Sequence, residues 1–256
     1  MQVAFGCLSN GKVLRGMQHI PEHAAGKVPV VIMFHGFTAT MSFMFVELSR
    51  LLESVGIASV RFDFAGSGES DGEFIDMSIA SEVHDGLQVL DYVKELDYVD
   101  KDRIALLGVS LGGVIASFAA GQRAEDIRAL CLICPAFIFS EHLKQGTMGH
   151  YTDITRINET QFVDMGGIKL GKDFVNDGLL RDIYKESAPY QNKILIMHGD
   201  ADIDVPIRVS EDYAKAYQDQ AHFHVIQGAD HIFMNPVHKQ ELFDKTVEFL
   251  TEQFQL

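Results

Sequence analysis

Hydrophobic positions along the chain alternate between short continuous runs and stretches with helical spacing. Residues 28–34 (VPVVIMF) are continuously apolar and rich in β-branched side chains, which is typical of a strand buried on both faces of a parallel sheet. The next segment places Met44, Leu48 and Leu52 at helical spacing and reaches Gly56, a residue suited to ending a helix. The same alternation continues to residue 134 and resumes at residue 193. It predicts an α/β fold, a mostly parallel sheet with helices on both faces.

Two segments depart from this alternation. Residues 3–8 and 13–19 are strand-like and flank Asn10-Gly11, a strong signal for a tight hairpin. Residues 136–192 are more polar and interrupt the succession of strands and helices. We therefore predict a single core made of residues 1–135 and 193–256, with residues 136–192 inserted into it as a small lid over the sheet.

Composition narrows the class of protein without indicating its chemistry. The 256 residues include 36 acidic and 21 basic side chains, and the net charge of -15 repels nucleic acid and anionic lipid, so neither is an expected partner. Three cysteines are too few for a disulfide framework and fit a cytoplasmic location. The longest apolar run, residues 129–139, is too short to span a membrane, and the first residues lack the pattern of a signal peptide. Whether the chain forms a homodimer stays open.

Two segments match the pattern G-x-S-x-G, one around Ser110 and one around Ser70. A nucleophile elbow needs a strand that runs into a sharp turn and then into a helix. Ser110 directly follows the apolar run IALLG and precedes GGVIASFAA, which suits a helix of small residues. Ser70 lies several residues beyond its strand, with no helix immediately after it. The context predicts Ser110 as the nucleophile and Ser70 as a turn residue.

A serine hydroxyl needs a base within hydrogen-bond reach and an acid that orients the base. His231 follows the last strand-like run, and the segment after residues 193–197 offers three possible acids, Asp200, Asp202 and Asp204. The segment HGF at 35–37 follows another strand, where a backbone N–H together with that of Leu111 can form an oxyanion hole. Four elements thus stand at the carboxyl ends of four strands, with serine, acid and histidine in the chain order of α/β-hydrolases.

At these motifs the chain resembles the α/β-hydrolase family over essentially its full length, and within it the bacterial cinnamoyl (feruloyl) esterases. The resemblance to those esterases rests on the short chain, the lid after the sixth main strand and a lid hairpin like VDMGGIKLG. It implies Ser110 as nucleophile, His231 as base, Asp202 as acid, and the amides of Phe37 and Leu111 as the oxyanion hole. The family-level match rests on HGF at 35–37, FDFAGSGES at 62–70, GVSLGG at 108–113, HGDADIDVP at 198–206 and GADHIF at 228–233.

The resemblance implies a serine esterase that forms an acyl-enzyme, with a small-molecule hydroxycinnamate ester as substrate. In the lid, Phe139, His142 and Tyr151 are candidates for contact with that substrate, although they could simply pack the lid on the core. A peptide or amide hydrolase is an alternative, because peptidases resembling prolyl oligopeptidases share these motifs. Such peptidases usually carry a large extra domain, so the small lid favours an ester. A non-catalytic binding protein of this fold is a third hypothesis, which the presence of all three triad residues disfavours.

Two other groups could suggest a metal or redox site. Cys131 and Cys134 are separated by two residues, and in a strand they would point to opposite faces, so two buried apolar cysteines are the preferred interpretation. His222 and His224 would share one strand face, where a partly exposed strand explains them as well as a metal does. We therefore expect neither a metal nor a cofactor.

Overall fold

The central feature of the fold is one large sheet, which contains eight of the twelve strands found in the described residues. The computed structural model describes residues 1–22, 26–149 and 152–256. Within these residues the strands are β1 (Gln2–Ser9), β2 (Lys12–His19), β3 (Val28–Phe34), β4 (Ala58–Phe62), β5 (Val99–Val109), β6 (Ala129–Ile133), β7 (Thr147–Met148), β8 (Thr152–Asp153), β9 (Phe162–Asp164), β10 (Lys169–Gly171), β11 (Lys193–Gly199) and β12 (Ala221–Ile226).

The main sheet has the order β1-β2-β4-β3-β5-β6-β11-β12 in the described part of the chain. Pairing is antiparallel from β1 through β2 to β4, and parallel from β4 to β12. The predicted mostly parallel sheet is therefore confirmed. The predicted hairpin is confirmed as well: Asn10 and Gly11 both have positive φ (46° and 77°), the backbone that a tight hairpin turn requires.

Helices cover both faces of this sheet. On β3, Val30, Ile32 and Phe34 belong to one hydrophobic core, and the intervening Val31 and Met33 belong to the other. The helices are α1 (Phe45–Ser54), α2 (Ile79–Lys94), α3 (Leu111–Gln122), α4 (Phe139–Lys144), α5 (Ile157–Thr160), α6 (Lys172–Gly178), α7 (Ile183–Ser187), α8 (Arg208–Tyr217) and α9 (Pro236–Phe254). The first core includes side chains of α2, α3 and α8, and the second includes side chains of α1 and α9. Over the described ranges, none of the helices combines the length and apolar character needed to cross a membrane.

Between β6 and β11 the described residues form short elements. In the described residues of this segment, α4 to α7 are joined by two small antiparallel hairpins, β7 with β8 and β9 with β10. The turn of the second hairpin contains Gly166 and Gly167, both with positive φ (76° and 101°). The segment packs closely on the core at Gly121 of α3, where an added Cβ would lie 2.1 Å from the carbonyl oxygen of Glu186.

A buried acid near the start of α2 makes the stability of this fold depend on pH. Glu82 is only 4% exposed, and burial, reinforced by the charge of Asp85, raises its pKa from 4.5 to about 8. At a pH between 4.5 and about 8, Glu82 is therefore protonated in the folded state and ionised in the unfolded chain. Stability from this group is complete below pH 4.5 and is lost as the pH rises to about 8, at about 1.4 kcal/mol per pH unit.

We expect Glu82→Gln, which cannot ionise, to remove that dependence. The free energy of unfolding in urea, measured from about pH 5 to about pH 8, should fall less steeply for the variant than for the parent protein. Glu95→Gln is the control, because the Glu95 side chain is 82% exposed and should leave the slope unchanged. Equal slopes for the parent and Glu82→Gln would contradict the prediction.

Candidate active site

Ser110 occupies a strained turn between β5 and α3. Its φ of 55° lies in the left-handed region that serine rarely adopts. The turn is tight enough to require glycine on both sides: a Cβ on Gly108 would lie 2.2 Å from the oxygen of Gly112, and a Cβ on Gly112 would lie 2.2 Å from the oxygen of Phe34. The Ser110 N–H donates to Ile133 O at 2.9 Å, which ties the turn to the end of β6. This geometry is that of a nucleophile elbow.

His231 links this serine to a buried carboxylate. Its Nε2 lies 3.0 Å from Ser110 Oγ, and its Nδ1 lies 2.7 Å from Asp202 Oδ2. Of the three acids in the loop after β11, Asp202 is the one in contact with His231, while Asp200 accepts a hydrogen bond from Gly228 N–H and Asp204 borders the adjacent cavity. The structure therefore brings together the serine, histidine and aspartate that the sequence indicated.

Asp202 is surrounded by hydrogen-bond donors. Burial works to raise its pKa, but hydrogen bonds from His198 and His231, and the charge that His231 acquires on protonation, hold the pKa well below the ordinary range. The carboxylate is consequently ionised at neutral pH and accepts the Nδ1–H of His231. That leaves the Nε2 lone pair of His231 directed at Ser110, the arrangement needed to take the hydroxyl proton.

The loop after β3 lies against the same serine. A Cβ on Gly36 would be 3.1 Å from Ser110 Cβ, so the loop approaches the turn closely. His35 holds this loop: its Nε2 accepts from Phe64 N–H at 3.2 Å, and its Nδ1–H donates to Gly36 O at 2.9 Å. In the described residues, the backbone N–H groups of Phe37 and Leu111 have no acceptor. Both are available for a carbonyl oxygen bound beside Ser110.

A cavity of about 340 Å³ opens on Ser110 and His231. Phe139 and His142 line it, as the sequence indicated, and Tyr151 lies outside the described residues. Sequence reasoning missed Thr38, which follows HGF and could have been found from that motif, and it missed Ile138 and Met148, for which the sequence carries no signal. The lining consists of Phe37, Thr38, Ser110, Leu111, Ala136, Ile138, Phe139, His142, Met148, Gly149, Asp204, Val205 and His231.

Comparison with known proteins places this geometry in a family. The profile of the prolyl oligopeptidase family matches residues 42–256. The chain belongs to the prolyl oligopeptidase family. Among solved structures, this family member resembles Est1E from Butyrivibrio proteoclasticus with ferulic acid bound, at a TM-score of 0.92 and 28% identity over 99% of this chain and 100% of that one. The fold is that of the α/β-hydrolases, as the resemblance implied.

Curated relatives of this prolyl oligopeptidase family member match over shorter stretches. An uncharacterised 31.7 kDa protein of Escherichia coli is 32% identical over 48% of this chain and 42% of its own length. The mitochondrial palmitoyl-protein thioesterase ABHD10 of Mus musculus is 34% identical over 43% of this chain and 36% of its own length. The chain thus spans less than half the length of these relatives.

One group of side chains in the described ranges has the composition of a metal site. The ligating atoms of Cys134, His198 and Asp202 lie within 4.8 Å of one another. However, His198 Nε2 lies 2.9 Å from Val205 O, which can only accept, so this nitrogen carries a hydrogen and cannot bind a metal. Burial and the negative charge of Asp202 also raise the pKa of the Cys134 thiol well above its ordinary value. A ring N–H and a protonated thiol thus lie beside the Asp202 carboxylate, and the three groups do not fit a metal ion.

Cys134 differs in one respect from the sequence expectation. Both Cys131 and Cys134 are buried, but Cys134 follows the last residue of β6 and has a φ of 41°. The alternation of a strand no longer applies there, and the thiol sulfur lies within 4.8 Å of a carboxylate oxygen of Asp202. Cys134 is therefore a polar neighbour of the acid and not simply an apolar core residue.

Ser70, the second serine in a G-x-S-x-G segment, has a structural position in this family member. Its Oγ donates to Asp63 O at 2.6 Å and accepts from Arg15 N–H at 2.8 Å, so its hydroxyl is fully engaged away from His231.

We expect Ser70→Ala to lower the free energy of unfolding by about 1 kcal/mol, because Arg15 N–H and Asp63 O each lose a partner. Denaturant unfolding would measure this, with Ser42→Ala at an exposed position as the unaffected control. The Ser110–His231–Asp202 geometry should be retained. A Ser70→Ala protein as stable as the parent would contradict the structural role.

Proposed function

We propose that this chain is a serine carboxylic ester hydrolase that acts on hydroxycinnamate esters through an acyl-enzyme. The observation that carries the proposal is the hydrogen-bonded series Asp202–His231–Ser110, in which His231 and Ser110 line the 340 Å³ cavity. A hydroxyl 3.0 Å from an imidazole nitrogen is already placed for proton transfer.

In the proposed reaction, His231 Nε2 takes the proton of Ser110 Oγ as that oxygen attacks the ester carbonyl. The negative charge that develops on the carbonyl oxygen is stabilised by the N–H groups of Phe37 and Leu111. Asp202 holds the imidazole and stabilises its protonated form. His231 then protonates the departing alcohol, and a water activated by the same histidine releases the acid from Ser110.

The cavity supports a small aromatic acyl group. Its volume is near the lower limit of small-molecule sites, about 300–1,000 Å³, so it suits one substituted ring better than an extended chain. Residues of the inserted segment, Ile138, Phe139 and Met148, supply apolar walls, and His142 supplies a polar group. The similarity to Est1E, solved with ferulic acid bound, extends over nearly the whole chain and agrees with this choice.

Hydrolysis of peptide or amide bonds is the second candidate, and the match to the prolyl oligopeptidase family favours it. The same serine, histidine and acid can attack an amide carbonyl. The two candidates differ in the leaving group, which is an amine for an amide and an alcohol for an ester. They also differ in the length of substrate that the cavity must admit.

We expect Ser110→Ala to lower kcat for ester hydrolysis by a factor on the order of 10⁶, because the attacking oxygen is removed. Initial rates on p-nitrophenyl acetate measure the loss, and circular dichroism checks that the fold is retained. Ser70→Ala is the matched control and should keep the parent kcat. A fluorophosphonate should label the parent at Ser110 and fail to label Ser110→Ala. Retention of activity in Ser110→Ala would refute the proposal.

We expect kcat/KM to be about 10- to 200-fold higher for methyl ferulate or methyl p-coumarate than for aliphatic methyl esters of similar size. The reason is that the walls of the cavity contact a flat ring better than a flexible chain. Aminoacyl amides and palmitoyl thioesters complete the panel. Faster turnover of butyrate or longer acyl esters would refute the hydroxycinnamate assignment, and faster turnover of amides would favour the second candidate.

A pair of variants tests whether the ferulate preference depends on the cavity wall or on the inserted segment in general. Phe139→Leu should reduce the ferulate preference severalfold, since Phe139 lines the cavity. Phe162→Leu is the control: Phe162 lies in the same segment, but its ring packs against Lys169 instead. Equal effects of the two substitutions would contradict the assigned role of Phe139.

A further inference from the structure

His198 is a fully buried histidine that the reaction described above does not use. It lies near the end of β11, four residues before Asp202. Its Nδ1 is 2.7 Å from Ser210 Oγ on α8, and its Nε2 is 2.9 Å from Val205 O and 3.2 Å from Asp202 Oδ2. Both ring nitrogens therefore contact polar groups, and one of them reaches the proposed acid.

These partners determine where the proton of His198 lies. Val205 O can only accept a hydrogen bond, so Nε2 carries the hydrogen. In the neutral ring Nδ1 then has the lone pair and accepts from the Ser210 hydroxyl. The Nε2–H of His198 consequently donates to Val205 O, and the same nitrogen lies 3.2 Å from Asp202 Oδ2. The contact of His198 with Asp202 is therefore made through one carboxylate oxygen, Oδ2.

The whole carboxylate is held by donors from three directions. Oδ1 accepts from the N–H groups of Asp204 and Val205, both at 2.9 Å. Oδ2 accepts from His231 at 2.7 Å and faces His198 at 3.2 Å. The backbone pair and the two imidazoles together prevent rotation of the carboxylate, and they leave Oδ2 in line with His231 Nδ1.

We propose that His198 is a positioning residue that holds Asp202 Oδ2 on His231 and shares the negative charge of that oxygen. The proposal rests on the proposed roles of Ser110, His231 and Asp202. His198 does not border the cavity, so it acts on the reaction only through Asp202. Its removal should lower kcat and leave substrate binding nearly unchanged, since binding depends on other side chains.

The test compares His198→Leu, which removes the donor, with His198→Gln, whose side-chain amide can replace Nε2–H. We expect kcat for the best ester of the panel to fall about 10- to 100-fold in His198→Leu, with KM within about threefold of the parent. His198→Gln should recover most of the loss. His224→Gln is the matched control, because His224 on β12 also bonds a carboxylate, Glu241 at 2.8 Å, and does not line the cavity.

The pH profile gives a readout that a merely structural role would not move. With one donor fewer, more of the negative charge on Oδ2 acts on His231, so protonated His231 is favoured. The acid limb of kcat/KM should therefore move to higher pH in His198→Leu and return in His198→Gln. The titratable groups facing this site are Cys134 from the end of β6, Asp202 and Asp204 from the loop after β11, and His231 and Asp230 from the loop after β12.

A measurement on the parent protein decides the matter even if His198→Leu does not fold. Nitrogen-15 spectra of histidine-labelled protein, with His198→Gln used for assignment, should show His198 protonated at Nε2 and bare at Nδ1. Protonation at Nδ1 would overturn the proposal. It would also be overturned by full kcat and an unchanged acid limb in folded His198→Leu while Ser110→Ala is inert. If the parent hydrolyses no substrate of the panel, the proposed function fails, and the nitrogen-15 spectra still test the hydrogen bond.

Discussion

The left-handed backbone of Ser110 is the constraint on which the rest of the site depends. A serine at φ 55° costs about 1–3 kcal/mol, and the turn persists because its N–H is bonded to Ile133 O and its neighbours fit only as glycine. Gly112 also touches Phe34 O at the end of β3. Any residue larger than glycine there would displace the loop that carries the Phe37 amide. Ser110 Oγ and the amides proposed as oxyanion donors are therefore fixed by one close contact.

The other half of the site follows from the order of strands. β11 lies between β6 and β12, so the loops that follow these three strands are neighbours at one edge of the sheet. Ser110 N–H is bonded to the end of β6, Asp202 follows β11, and His231 follows β12. Parallel pairing thus brings together residues that are 121 and 29 positions apart in the chain. The segment between β6 and β11 leaves the sheet at the end of β6, which is why its residues reach the same edge.

The sequence was sufficient for the sheet, the elbow and the chain order of the site, because each depends on local patterns with a strong physical cause. It left the choice among Asp200, Asp202 and Asp204 to a resemblance, since three acids in one short loop cannot be ranked by spacing. Contact with His231 distinguishes Asp202. Cys134 shows a different limit: periodicity predicts side-chain direction only inside a strand, and β6 ends at Ile133. The cavity walls were least predictable, since they come from short elements without periodicity.

Two buried carboxylates show why burial alone does not decide ionisation. The side chain of Asp202 is fully buried, yet four N–H groups converge on it, and its pKa is held well below the ordinary range. Glu82 is buried to a similar extent, but in the described part of the chain no donor contacts its carboxylate, and its pKa rises to about 8. The difference lies in the donors, because a hydrogen bond to the charged form offsets the loss of water. Asp202 owes its charge to the backbone N–H groups of its own loop and to the imidazoles of His198 and His231.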